Sequence, residues 1–110
     1  MHKYENLIAV SCLEHFLLLL LQCAEDPNIR ELIRQYGGLI PLVNIVNNPD
    51  VNPEVLLAAT GAIWKLSLSS ANVAAFQKLG IIPVFVRLLS GQPEKVRDRL
   101  WYFGLIKVIK

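Results

Sequence analysis

Residues 28–46 read NIRELIRQYGGLIPLVNIV, and residues 72–89 read NVAAFQKLGIIPVFVRLL. Laid on their glycines, Ile33 falls on Phe76, Gly37 on Gly80, Leu42 on Phe85, and Ile45–Val46 on Leu88–Leu89. The offset is 43 residues, with a slip of one between asparagine and glycine. Each copy follows an apolar helical stretch, residues 5–24 before the first and 53–68 before the second. A period in the low forties without strand alternation predicts stacked helical repeats. The chain therefore reads as all-α.

The punctuation fits that reading. Asn28 and Asn72 are expected as N-caps, each offering a side-chain acceptor to first-turn amides. Gly37 and Gly80 stop those helices, where a positive φ strains any other residue. Pro41 and Pro83 then fall in the opening turn of the next helix, which tolerates a missing amide. Residues 47–53 (NNPDVNP) and 90–93 (SGQP) are turn clusters. Pro53 and Pro93 open the long helices, with Glu54 and Glu94 in the first turn. Within 53–68, Val55, Ala59, Ala62 and Leu66 recur at i, i+4, i+7 and i+11, one buried face. Ala58, Ala59, Gly61 and Ala62 make a small-residue stripe. A mid-helix glycine costs about 1 kcal/mol relative to alanine, so Gly61 implies a closely packed neighbour.

These residues resemble the armadillo repeat. The resemblance rests on N-x7–8-G-x-x-x-x-L-V, a turn, then PEV and AATGAIWKLS, and covers residues 25–96. It implies a right-handed α-superhelix of three-helix repeats, here about two and a half of them. Residues 1–24 are then the long apolar helix of a partial repeat, 25–68 a first repeat, and 69–110 a second with a divergent closing helix. NPEVLLAATGAIWKLSLSSANVAAFQKLG (52–80) followed by SGQPEKV (90–96) is similar to armadillo arrays of motile cilia. That similarity implies a scaffold that helps assemble and attach outer dynein arms, cytoplasmic or axonemal, with other docking components as partners. The closing stretch VRDRLWYFGLIKVIK (96–110) departs from the family, being bulky where close packing wants small residues.

The resemblance also nominates binding residues. In peptide-binding arrays the third helix lines a concave groove, where an asparagine clamps the ligand backbone. Lys65 stands at that position, and Gly61 stands where a nuclear-import adaptor carries tryptophan. With both clamp elements missing, a nuclear-localisation-signal reader is disfavoured. Lys65 is read as a contact to an acidic partner or as a solvated lysine. Trp64 is read as inter-repeat packing or a groove contact, and Trp101 as a cap on the end of the array.

Composition narrows the rest. Hydrophobic residues make up 54% of the 110, and mean hydropathy is +0.43, which excludes a disordered polar tail. A net charge of +2 points to neither nucleic acid nor a membrane surface. The halves differ: residues 1–55 sum to −4 and 56–110 to +6, the excess lying in Lys95, Arg97, Arg99, Lys107 and Lys110. Those cations read as a solvated face or as a docking patch for an acidic partner.

Residues 7–24 (LIAVSCLEHFLLLLLQCA) contain an unbroken apolar run only at 16–21, short of the about 20 residues a spanning helix needs. A small secreted or membrane-anchored protein using 16–21 is the alternative reading, and a buried solenoid helix the favoured one. Cys12 and Cys23 lie in one helix, about 16 Å apart at 1.5 Å per residue, so they cannot bridge. They are expected to be small buried hydrophobes in a reducing compartment.

His15 is expected as a partly buried polar residue, and His2 as a mobile terminal one. Two histidines and two distant cysteines give no zinc spacing, and no cofactor is implied. There is no G-x-S-x-G, Walker loop, G-x-G-x-x-G or H-E-x-x-H. Gly37–Gly38 is a helix stop rather than a phosphate cradle, and Ser67, Ser69, Ser70 and Ser90 have no histidine nearby. The chain is not read as an enzyme. Because arrays need about three or more repeats to be stable, a further alternative is a non-functional isoform or fragment of a larger armadillo array. Alone, the chain is expected to associate with itself through its end helices.

Overall fold

The computed structural model describes residues 2–91, with side chains from residue 12 onward. Those residues form six helices and no strand: α1 (His2–Cys23), α2 (Pro27–Gln35), α3 (Leu39–Asn47), α4 (Pro53–Leu66), α5 (Ser70–Lys78) and α6 (Ile81–Gly91). This is the all-α, armadillo-like architecture expected from the repeat. Pro93, Glu94, the closing stretch 96–110 and His2's side chain lie outside the described part.

Helices α2–α3 and α5–α6 are two hairpins, and each joint is a glycine in the left-handed region. Gly37 has φ +79° and Gly80 φ +80°. Pro41 and Pro83 follow in the first turns of α3 and α6, as the sequence predicts. Asn52 caps α4 by accepting the Glu54 amide at 2.9 Å, and Pro53 stands at the first helical position. The predicted face of α4 is real: Val55, Ala59, Ala62 and Leu66 are all buried. It meets Leu17 of α1, Ala24 just after that helix, and Leu42, Val43 and Val46 of α3, in one core continuous with Phe76 and Phe85. Two buried hydroxyls bond back one helical turn, Thr60 to the Leu56 carbonyl and Ser67 to that of Ile63, both at 2.6 Å. Neither buried hydroxyl is thereby left without a partner.

Several local expectations need correction. Neither asparagine is an N-cap. Asp26 caps α2, accepting the Asn28 amide at 2.8 Å, and Ser69 occupies the cap position of α5. Asp26 and Ser69 are 43 residues apart, so the hairpins align without the slip, and Asn72 falls on Ile29 rather than Asn28. A second shift follows the glycine. The buried set of α3 is Leu39, Leu42, Val43 and Val46; that of α6 is Ile81, Val84, Phe85 and Leu88. The match is at 42 residues, pairing Leu42 with Val84 and Val43 with Phe85. The extra residue in the first joint is Gly38. A Cβ there would lie 2.7 Å from Ile33 Cγ2 and 2.9 Å from the Ile33 carbonyl oxygen, so only glycine fits.

Three further corrections concern exposure. Cys12 and Cys23 are exposed rather than buried. His15 is exposed as well, because the face of α1 that meets α4 is filled by Leu13, Leu17 and Leu20. Ser90 and Gly91, expected in a turn, are the last residues of α6.

Candidate functional site

Helices α1 and α4 lie side by side and carry the face on which the sequence nominates binding residues. On α4, Glu54, Ala58, Gly61 and Lys65 recur at i, i+4, i+7 and i+11; Glu14, Leu18, Leu21 and Glu25 repeat that spacing on α1 and just beyond it. The two stripes run in the same direction, forty residues apart. Between them opens a groove of about 380 Å³, lined by Glu14, Leu18, Leu21, Glu54, Leu57, Ala58 and Gly61. The absent side chain of Gly61 and the single methyl of Ala58 leave that space.

One end of the groove is closed. Lys65 Nζ pairs with Glu25 Oε1 at 2.5 Å, and stands 5.0 Å from the centroid of the Trp64 ring. The lysine side chain is 16% exposed and the glutamate 68% exposed. An exposed pair of this kind is worth about 0–1 kcal/mol. It fixes the lysine's place more than it stabilises the chain. Trp64 is half-buried at the same end. Lys65, Trp64 and Gly61 are thus brought onto or beside one face, while Lys95, Arg97, Arg99 and Trp101 lie outside the described residues.

Sequence reasoning named the lysine and missed the acids. Glu14 reads there as an interruption of an apolar run, and Glu54 as a first-turn helix charge. The signal was the forty-residue spacing of two parallel stripes, which a search aligned on glycines does not reveal. The face offers apolar contact and two carboxylates, the chemistry of a surface for protein segments. Among the described residues, no three His, Cys, Asp or Glu side chains group closely enough to hold a metal ion.

A second polar set joins the hairpins. Asn72 is fully buried, and its Nδ2 donates to the Leu66 carbonyl at 2.9 Å and to the Arg30 carbonyl at 3.3 Å. Its Oδ1 accepts from Arg34 Nη1 at 2.9 Å. Arg34 also grips both carboxylate oxygens of Glu31, and the Ser69 hydroxyl donates to Glu31 Oε1 at 3.1 Å. Arg34 lowers the Glu31 pKa below the usual value, burial opposes it, and Ser69 adds to the lowering. Glu31 in turn raises the pKa of Arg34. On the other side, Arg87 donates to the Asn47 carbonyl and Oδ1, at 3.1 and 2.9 Å. These bonds join one hairpin to the next.

Comparison with known proteins agrees with the fold. The armadillo/beta-catenin-like repeat matches residues 25–68, the span that contains α2, α3 and α4. The chain is 49% identical over 83 residues to the outer dynein arm-docking complex subunit 2 of Bos taurus, covering 76% of this chain. It is 50% identical over 66 residues to the Mus musculus protein of the same name, covering 60%. It is 39% identical over 77 residues to the armadillo repeat-containing protein gudu of Drosophila melanogaster, covering 68%. It spans 8%, 6% and 12% of the length of these three relatives. Residues 25–68 match an armadillo repeat, and the stacking of the six helices is that of an armadillo-like all-α fold.

Proposed function

We propose that this chain is a non-enzymatic protein-binding scaffold in the docking and assembly of outer dynein arms, working in the cytoplasm and at the axoneme of motile cilia. The observation that supports it is identity of about half, over 83 and 66 residues, to outer dynein arm-docking complex subunit 2 of two species. Partner contact is assigned to the α1–α4 groove, bordered by Trp64 and Lys65. With Lys65 engaged by Glu25, the charges left to a partner are Glu14 and Glu54. The matching segment is therefore apolar with one or two basic side chains, not acidic.

A pull-down from ciliated cells tests this. Chain bearing Glu14→Lys and Glu54→Lys should lose docking-complex and dynein-arm proteins that the unaltered chain retains. Equal recovery by both would remove the groove from the reading, and recovery by neither would remove the docking role. No single helix among the described residues is long and apolar enough to cross a membrane. A carbonate-resistant membrane pellet would favour the anchored alternative built on residues 16–21.

A further inference from the structure

The α1–α4 groove runs lengthwise between its two helices, and both of its walls belong to the described residues. Glu14, Leu18 and Leu21 line one wall; Glu54, Leu57, Ala58 and Gly61 line the other. At 1.5 Å per residue, the glutamates lie about 10 Å along the helix axes from Leu21 and Gly61. The two carboxylates stand at one level, forty residues apart in sequence. Among the described residues neither is paired with a cation.

Beyond that level the wall offers no hydrogen bond. Its side chains carry no amide or hydroxyl. The backbone groups of α1 and α4 are engaged within their own helices. Lys65, at the closed end, is engaged by Glu25. An extended segment laid along this wall would bring amide and carbonyl groups that find no partner there, each unfavourable once shut away from water. A helical segment satisfies those groups itself.

We infer that the groove takes an amphipathic helix of a partner protein, lying lengthwise between α1 and α4. One arginine or lysine of that helix sits between Glu14 and Glu54, and apolar side chains four and seven residues away seat over Ala58 and Gly61. The inference rests on the assignment of partner contact to this groove, and adds the conformation and spacing of what binds. Charge matches at one end, where two unpaired carboxylates meet a cation. Shape matches beyond it, because Ala58 and Gly61 leave room for a third helix at the usual axis distance of 8–10 Å. A groove of this kind reads one face of a helix through anchors about one turn apart. The Lys65–Glu25 pair limits the fitted stretch to about three turns.

So short a helix is marginal alone in water, so the probe is held helical. It is a fluorescent, alanine-rich peptide of about sixteen residues with a hydrocarbon staple on its outer face. It carries an arginine and, four and seven residues later, two leucines; a second peptide carries the leucines before the arginine, for the opposite direction. One of the two should bind the full chain in fluorescence anisotropy. Its unstapled form with a central proline should bind about tenfold more weakly or worse. Glu14→Gln with Glu54→Gln should weaken the stapled peptide by about tenfold. Ala58→Leu, which fills the groove, should abolish binding, with helix content unchanged in circular dichroism. A proline peptide that binds as tightly as the stapled one would overturn the helix and leave the groove as a contact for extended segments. Stapled binding indifferent to both altered chains would overturn the groove, and with it the proposed contact surface. No binding of either stapled peptide at about 1 mM, while Glu14→Lys with Glu54→Lys still loses docking proteins in the pull-down, would overturn the helix alone.

Discussion

The two hairpins share a plan and differ in what holds them. The second, α5–α6, hangs on apolar burial, with Phe76, Ile81 and Phe85 shut away from water. In the first, α3 buries Leu39, Leu42, Val43 and Val46, but α2 buries no residue completely, and Tyr36 after it is exposed. The anchors of α2 are polar. Arg30 Nη1 donates to the Ala24 and Glu25 carbonyls at 2.7 and 3.2 Å, giving partners to groups left open where α1 ends. Asn72 does the corresponding service for α4, through Leu66, from inside the core. The same problem, the orphan carbonyls at the end of a long helix, is met once by a long, partly buried cation and once by a short, fully buried amide. The difference teaches that burial depth, not repeat position, selects the residue type.

The largest effect should come from the apolar anchor. Phe76→Ala is expected to lose about 3–5 kcal/mol, a large share of the 5–15 kcal/mol typical of a domain. Leu32→Ala in α2, half exposed, should cost under about 1 kcal/mol, since exposed sites change stability little. Urea melts followed by circular dichroism compare them directly. Equal losses would break the contrast.

The asparagines give the next test. Asn72→Ala removes the partner of the Leu66 and Arg30 carbonyls and of Arg34, and should cost about 1–3 kcal/mol. Asn28→Ala, on an exposed residue outside the cap, should fall within about 0.5 kcal/mol of the parent. The caps come third: Asp26→Ala should cost about 1 kcal/mol. Ser69→Ala should cost less, because the serine side chain makes no cap bond and reaches Glu31 instead.

The smallest effect is with pH. The folded pKa of Glu31 is lowered, so its contribution is fully present above the unfolded value of about 4.3 and fades as pH falls through the lower folded value. Melting temperature should therefore be insensitive to this group above pH of about 5 and decline below the ordinary carboxylate range. Glu31→Gln should flatten part of that acid limb. An unchanged limb would show the Arg34 contact to be unimportant to the folded state.

Much of the fold was legible in local chemistry. The positive-φ glycines, the opening-turn prolines and the 55, 59, 62, 66 face each impose a requirement that neighbours in sequence express. What escaped depends on distant partners. Asn72 resembles a helix cap by type, but its partners are Arg30, Arg34 and Leu66, and only the folded chain brings them close. Lys65 reads as a free cation until Glu25, forty residues earlier, is placed beside it. The cysteines read as buried by residue type, though α1 turns them away from α4. Of the proposed binding face, Gly61, Trp64 and Lys65 were visible in the motif. The carboxylates of Glu14 and Glu54 became visible only when two helices stood parallel.

Gly38 carries a consequence for the shape of any longer array. Identical joints would wind a solenoid as a regular screw, each unit turned by the same angle from the last. Here one joint has a residue more than the next, and that residue has no room for even a methyl group. The α2–α3 joint is thereby set apart from the α5–α6 joint, its extra residue confined to glycine. A long ligand following the inner surface would meet a change of curvature at this repeat, and register along the array would be counted from it.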